Sequence, residues 1–214
     1  MEANSNYATV CSPWWSSVFI VAGGPSAHSV NWQCLWGRTV LAVNDAALLV
    51  PSATAVFSLD NQWIIRRRAF LESFAGEKYL AVPLDTFPAC GGITGARYLQ
   101  WAYSPGLSTD PTRINTGGNS GYAAINFAYL KRARVIYLAG YDMNTNEDKF
   151  AQWIPRFRTM LTQLNRDGVE VWNLNPRSAV DAFPWMSLDE SLRRTRRQEV
   201  VCRETTRGAS YTRP

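Results

Sequence analysis

Val18-Phe-Ile-Val-Ala22 is an unbroken run of apolar residues that stops at Gly23-Gly24-Pro25-Ser26. A strand with one wet face would alternate apolar and polar side chains. A run apolar at every position reads as a parallel strand covered on both faces. The pattern recurs. Thr39-Val-Leu-Ala-Val43 stops at Asn44-Asp45, Thr54-Ala-Val-Phe-Ser-Leu59 at Asp60-Asn61, and Tyr79-Leu-Ala-Val82 at Pro83. Further on, Val135-Ile-Tyr-Leu-Ala139 stops at Gly140-Tyr141-Asp142, and Val169-Glu-Val-Trp172 at Asn173.

Helical spacing fills the intervals. Residues 62–74 place Ile65, Ala69 and Phe70 on one side, with Arg66, Arg67 and Arg68 turned outward. Residues 120–132 repeat Tyr122, Ile125, Ala128 and Tyr129, and Asn119 or Ser120 is placed to cap them. Residues 150–164 carry Trp153, Phe157, Met160 and Leu164, with regular helix expected from about Pro155. Ser187-Leu-Asp-Glu190 opens a last helix as a capping box. Strands and helices that alternate in this way predict an α/β fold with a doubly wound, mostly parallel sheet flanked by helices. The stretch 87–115, rich in Gly, Pro, Ser and Thr, reads as an irregular lid or insertion.

At 214 residues the chain suits one domain: an arm over 1–16, an α/β body over 17–192, and a basic tail over 193–214. The net charge of +5 lies wholly in that tail, where seven arginines face Glu199 and Glu204, and the rest holds 15 basic and 15 acidic groups. The tail offers non-specific contact with nucleic acid; its plain alternative is a solvated terminus. With 46% hydrophobic and 18% charged residues the chain is globular and not disordered. No run approaches a membrane span, and no basic residue precedes Arg38, as a secretory signal would require. A cytoplasmic protein is expected (host cytoplasm if phage-encoded). The four cysteines form no CxxC pair and His28 is the single histidine, so no metal site is expected and the thiols read as reduced and mostly buried.

In an open parallel sheet, ligands bind beyond the carboxyl ends of the strands. Those ends here carry Gly23, Gly24, Pro25 and Ser26, then Asn44 and Asp45, Asp60 and Asn61, and Gly140, Tyr141 and Asp142. A further loop, Thr116-Gly117-Gly118-Asn119-Ser120-Gly121, leads directly into a helix. Two glycine-rich loops entering helices supply free N–H groups for phosphate, so a nucleotide is the expected ligand. Asp45 stands where a ribose-binding carboxylate would, Asn44 beside it could read a ribose or base edge, and Trp63 is the tryptophan expected near a ligand. GxGxxG, GxxxxGK[ST] and GxSxG are all absent, which disfavours a standard NAD fold, a P-loop NTPase and a serine hydrolase.

The set formed by Val18–Ser26, Val43-Asn-Asp45, Thr116–Tyr122 and Ile136–Asp142 resembles a Rossmann-like superfamily. It includes the bacterial sialyltransferases of glycosyltransferase family 42 and the 6-hydroxymethylpterin diphosphokinase MptE-like proteins. Phage and bacterial proteins with the same Thr-Gly-Gly-Asn-Ser-Gly and Gly-Tyr-Asp-Met pattern look similar, and Asn175-Pro-Arg-Ser178 gives a weaker echo. The resemblance implies that Gly23, Gly24, Ser26 and Thr116 to Ser120 hold phosphate and ribose of a cytidine-type nucleotide, with Asn44 and Asp60 against the nucleotide or the transferred group. Two positions depart from it: Gly23 replaces an asparagine, and no histidine follows His28 to act as base.

The expected activity is therefore a nucleotide-dependent transferase, foremost a glycosyltransferase that uses a nucleotide-activated sugar. Asp60 or Asp142 would serve as base or electrostatic partner. No DxD pair occurs, so no obligatory metal is expected. The alternatives are an ATP-dependent phosphoryl or diphosphate transferase, which would add Mg²⁺ on Asp60, Asp142 or Asp148, and a nucleotide-binding protein without chemistry. The acceptor and the oligomeric state stay open.

Overall fold

The computed structural model describes residues 15–144 and 148–196. The arm up to residue 14 and the basic tail beyond residue 196 lie outside the described residues. Eight strands form one sheet: β1 (Ser17–Val21), β2 (Val40–Val43), β3 (Ala55–Ser58), β4 (Glu77–Ala81), β5 (Ala96–Ala102), β6 (Arg113–Asn115), β7 (Val135–Ala139) and β8 (Glu170–Asn173). Their order is β6-β5-β4-β3-β2-β1-β7-β8, and every neighbouring pair is parallel. The helices are α1 (Ala46–Leu49), α2 (Asn61–Arg66), α3 (Arg68–Ser73), α4 (Phe87–Cys90), α5 (Ser120–Leu130), α6 (Asp148–Trp153), α7 (Leu161–Arg166) and α8 over 188–196. This is the doubly wound α/β fold that the apolar runs predict.

The runs are apolar throughout because both faces of each central strand are covered. In β1, Val18 and Ile20 point into the layer with α5, while Phe19 and Val21 point into the layer with α2, α3 and α8. Helix α5 is buried at seven consecutive positions, Tyr122 to Ala128. It packs on the sheet and meets the β5–β6 connection through Asn126 and the β7–β8 crossover through Tyr122 and Tyr129, so a helix apolar on every side belongs there. Its Phe127 ring meets Trp15, Phe57 and Tyr79 at centroid distances of 5.6, 5.5 and 4.4 Å.

Three stretches differ from the sequence expectation. Residues 87–115 are not an irregular lid: they supply α4, β5 and β6, and only 91–95 and 103–112 lack regular structure. These outer strands escaped notice because Arg97 and Gln100 lie exposed within β5, so the continuous apolar run of a central strand is missing. One buried side chain ties the region down. Asn126 of α5 accepts the N–H groups of Ser108 (3.1 Å) and Asn115 (2.7 Å), and its own amide donates to the Ser108 carbonyl (3.1 Å). The helix over 62–74 breaks at Arg67 into α2 and α3. Around Pro155 the chain forms a 3-10 segment, Ile154–Met160, between α6 and α7.

Trp15 is buried on Phe127. Residues 193–196 continue α8, where Ser191 and Thr195 are buried and Arg193 and Arg194 pair with Glu190 and Glu170. Cys90 is a buried free thiol, whereas Cys34 is exposed. Among the described residues no helix is long and apolar enough to cross a membrane.

The loops after β1 and β7 nearly touch. Gly140 has φ +71, and a Cβ there would overlap the Ala22 carbonyl oxygen. Gly140→Ala should therefore cost about 3 kcal/mol or more in urea denaturation, combining left-handed strain with overpacking. Gly168→Ala, at φ +65 with open space around it, should cost only about 1 kcal/mol.

The far end of α5 is fastened by Asp167, which accepts from Arg166 Nε (2.9 Å) and from the Tyr129 hydroxyl (2.6 Å). These bonds, that of Arg166 first, hold the Asp167 carboxyl down at about 2. Its share of stability is thus whole above the ordinary aspartate value of 3.8 and is lost as pH falls toward 2. Tyr129→Phe should move the Asp167 titration upward, read by carboxyl carbon NMR.

Candidate functional site

The connections leaving β1 and β7 depart to opposite faces. The first enters the layer of Ala27, Trp32 and Leu35, and the second the layer of Phe157, Met160 and Leu164. Such divergence ordinarily opens a ligand crevice. Here the two loops are knotted together instead. Gly24 N–H donates to the Gly140 carbonyl at 3.0 Å. Asp142, only 5% exposed, accepts from Ser26 N–H (3.2 Å), Ser26 Oγ (2.7 Å) and Asn175 Nδ2 (2.8 Å). Its backbone carbonyl takes the N–H of Ala179 at 2.8 Å. A Cβ on Gly24 would overlap the Asp142 carboxylate, so this position requires glycine. Pro25 starts the 3-10 turn Pro25–Ser29, and Gly23 stays exposed with open space around it. Gly24, Ser26, Gly140 and Asp142 thus come together, with their donors turned on one another.

The second glycine loop is built differently. Asn119 is the N-cap of α5, its Oδ1 accepting from Tyr122 N–H at 2.8 Å. Gly117 and Gly118 have φ of +49 and +93, and a Cβ on Gly117 would come within 2.5 Å of the Tyr122 ring. Buried Thr116 accepts the Gly118 N–H at 3.3 Å. Among the described residues the N–H groups of Ser120 and Gly121 find no acceptor, as expected for the first turn of a helix. Three elements hold this turn in place. Asn44, from the end of β2 and at φ +53, donates to Ser120 Oγ at 3.4 Å. Tyr141, after β7, donates to the Gly121 carbonyl at 3.0 Å. Arg156 donates to the Gly117 carbonyl at 2.8 Å and to the Tyr103 hydroxyl, stacking over that ring at 4.8 Å.

Polar atoms without partners gather around this turn. Asn119 is 6% exposed, and among the described residues its buried Nδ2 has no acceptor and the buried Oδ1 of Asn44 has no donor. Each such orphan costs roughly 1–3 kcal/mol unless a ligand satisfies it. Burial pushes the phenols of Tyr141 and Tyr122 above their ordinary range, so both remain protonated hydrogen-bond donors.

Asp45, Asp60 and Asn61 form a third group at the start of α2. Asp60 Oδ1 caps the helix through Trp63 N–H at 2.9 Å. Asp45 Oδ1 accepts from Trp63 Nε1 and Arg67 Nε, each at 2.9 Å. Asn61 donates to Thr86 Oγ1 at 3.1 Å, and its buried Oδ1 has no partner among the described residues. Trp63 itself is 2% exposed, so its ring belongs to the core and is not a stacking surface. Among the described residues no group of three or more His, Cys, Asp or Glu side chains converges.

Arg156 and Tyr103 escaped the sequence reading. Arg156 lies 39 residues beyond Gly117 in a 3-10 segment, and no local pattern links the two. Asn175 had a trace in the Asn-Pro-Arg-Ser echo, though not its role as a donor to Asp142.

No protein-family model and no curated protein matches the chain. Two solved structures are similar. One is a mutant of the alpha-2,3/8-sialyltransferase CstII, at TM-score 0.44 and 14% identity over 80% of this chain and 86% of that one. The other is CstII from Campylobacter jejuni in complex with the substrate analogue CMP-3FNeuAc, at TM-score 0.43 and 15% identity over 80% and 85%. The likeness is one of chain path and leaves the chemistry open.

A buried carboxylate that joins three segments should reveal itself in stability as well as in activity. Asp142→Asn turns an amide NH₂ toward the donors of Ser26 or Asn175 and should cost about 1–3 kcal/mol in urea denaturation. An unchanged denaturation midpoint would assign Asp142 no part in holding the loops.

Proposed function

We propose that the protein is a nucleotide-dependent transferase, namely a glycosyltransferase that takes its sugar from a nucleotide-activated donor. One observation carries the reading: the first turn of α5 presents free N–H groups, two left-handed glycines and the Arg156 cation beside two asparagines with unsatisfied buried atoms. Backbone N–H groups at a helix start suit phosphate oxygens, and the helix dipole adds to that preference. On this reading Gly117 to Gly121 and Arg156 receive the donor phosphates, and Asn44 and Asn119 hydrogen-bond the ribose or base.

In the transfer step the acceptor oxygen bonds to the anomeric carbon as the bond from that carbon to the phosphate oxygen breaks. Negative charge develops on the departing phosphate, which the α5 terminus and Arg156 stabilise. The acceptor proton passes to a carboxylate. Asp60 suits this role better than Asp142, because among the described residues Asp60 Oδ2 has no hydrogen-bond partner, whereas both Asp142 oxygens are engaged. Asp142 then acts by positioning the β1 and β7 loops. No obligatory metal is part of this proposal.

The test is a thermal-shift and calorimetric series with CMP, CDP, UDP, GDP, dTDP, ADP, ATP and sugar nucleotides, with and without Mg²⁺. A ligand at 100 times its Kd should add about 2.7 kcal/mol, worth about 5–10 °C in Tm at this size. Arg156→Ala and Gly118→Val should lower the affinity at least about tenfold, and Asp60→Ala should abolish sugar-nucleotide turnover while leaving binding. Absence of any nucleotide shift would refute the reading. Mg²⁺-dependent loss of phosphate from ATP would replace it with phosphoryl transfer, and tight binding without turnover with a purely binding role.

A further inference from the structure

The 3-10 turn whose Ser26 bonds Asp142 also lines a groove of about 480 Å³ through Ala27 and His28. One wall is this turn, the next 3-10 turn Trp32–Leu35, and Trp36; the other is the segment from Leu49 to Ser52 that follows α1. Trp36 leads into β2 and Pro51 into β3, so the groove runs from the carboxyl edge of the sheet toward its amino edge, away from the start of α5. Its size falls in the range of small-molecule sites.

The lining has a definite chemistry. Trp36 is 81% exposed, yet its backbone is held by an N–H bond to the Gln33 carbonyl at 3.1 Å, so a broad aromatic face stands open on a fixed turn. Trp32 is buried beneath, locked by its Nε1 donating to the Ala27 carbonyl at 2.9 Å. Asn31 Oδ1 accepts the Gln33 N–H at 3.1 Å, which leaves its NH₂ group without an acceptor among the described residues. The Gln33 amide and the His28 imidazole are exposed on the same rim. Among the described residues no Asp, Glu, Lys or Arg lines the groove.

We propose that this groove binds a neutral sugar, as one or two pyranose units of an oligosaccharide. A pyranose has an apolar face of C–H groups and a rim of hydroxyls that both donate and accept. An open indole matches the face; two amides and an imidazole match the rim. A lining without Lys or Arg among the described residues disfavours phosphorylated or anionic ligands, which would lose hydration without gaining a fixed counter-charge. The inference needs no nucleotide and stands apart from the phosphate cradle at α5.

The test is calorimetry and ligand-observed NMR on the full chain with maltotriose, cellotriose, mannotriose, lactose and tri-N-acetylchitotriose, with hexanol as an apolar control. At least one saccharide should bind saturably by about 20 mM, where a Kd of about 1 mM is well exceeded. Trp36→Ala should weaken that binding about tenfold or more, as loss of a central aromatic anchor does, and Trp36→Phe should restore part of it. Gln33→Ala should weaken it less, and Trp185→Ala, at an exposed tryptophan outside the groove, should leave it unchanged. No saccharide binding, binding indifferent to Trp36→Ala, or binding of hexanol alone would each overturn the proposal. Nucleotide titration of the same samples separates the two sites: lost nucleotide binding with retained sugar binding counts against the transferase reading alone.

Discussion

A buried carboxyl group with no cation among its hydrogen-bond partners in the described residues governs the architecture of the loops after β1 and β7. Asp142 joins β1, β7 and the segment after β8 through three hydrogen bonds. A charged group withdrawn from water is tolerated only when its lone pairs are filled, so each donor is a structural requirement. Those donors can reach it only because the β1 loop comes so close to β7 that neither Gly24 nor Gly140 has room for a side chain. Glycine at these two positions, serine at 26 and asparagine at 175 are therefore parts of one device. With the crevice between β1 and β7 closed, polar groups left without partners among the described residues lie across the sheet edge, at the start of α5.

Much of this was legible in the chain because its cause is local. A strand covered on both faces carries an unbroken apolar run, and five of the eight strands, β1 to β4 and β7, declare themselves that way, whereas the edge strand β8 keeps Glu170 exposed. Asn119 announces the start of α5 by a rule that needs only three residues of context. Strands β5 and β6 did not declare themselves, since an outlying position leaves Arg97 and Gln100 in water and erases the pattern. Trp63 was misplaced for a related reason. Its position after Asp60-Asn61 suggested a ligand, but the cap made by Asp60 turns the indole into the layer beneath the sheet.

What stayed hidden is long-range pairing of polar side chains. Asn175 reaches Asp142 across 33 residues, Arg156 reaches Gly117 across 39, and Asn126 anchors Ser108 from 18 residues away. None of these partners follows a helical or strand period, and each could equally have been a solvated surface group. Sequence placed the glycines of both loops at the carboxyl edge of the sheet. It did not reveal that the first loop turns its donors inward while the second keeps them free.

That difference bears on how the two glycine loops divide their work. In the first, Gly24 N–H, Ser26 N–H and the Ser26 hydroxyl all serve Gly140 or Asp142, so a phosphate there would have to displace a buried carboxylate from its donors. In the second, the N–H groups of Ser120 and Gly121 remain without acceptors among the described residues, and an anion would gain bonds without breaking any. Anion affinity should therefore concentrate at α5, and the first loop becomes a rigid mount. Its inward side fixes the β7 loop, and with it the Tyr141 that supports α5, while its outward side carries His28 into the tryptophan groove. A single turn of five residues thereby connects the loop that supports the first turn of α5 to the wall of the groove. Because Asp142 holds that turn from beneath, changes to its three donors should disturb both places together, whereas changes to Trp36 should stay local.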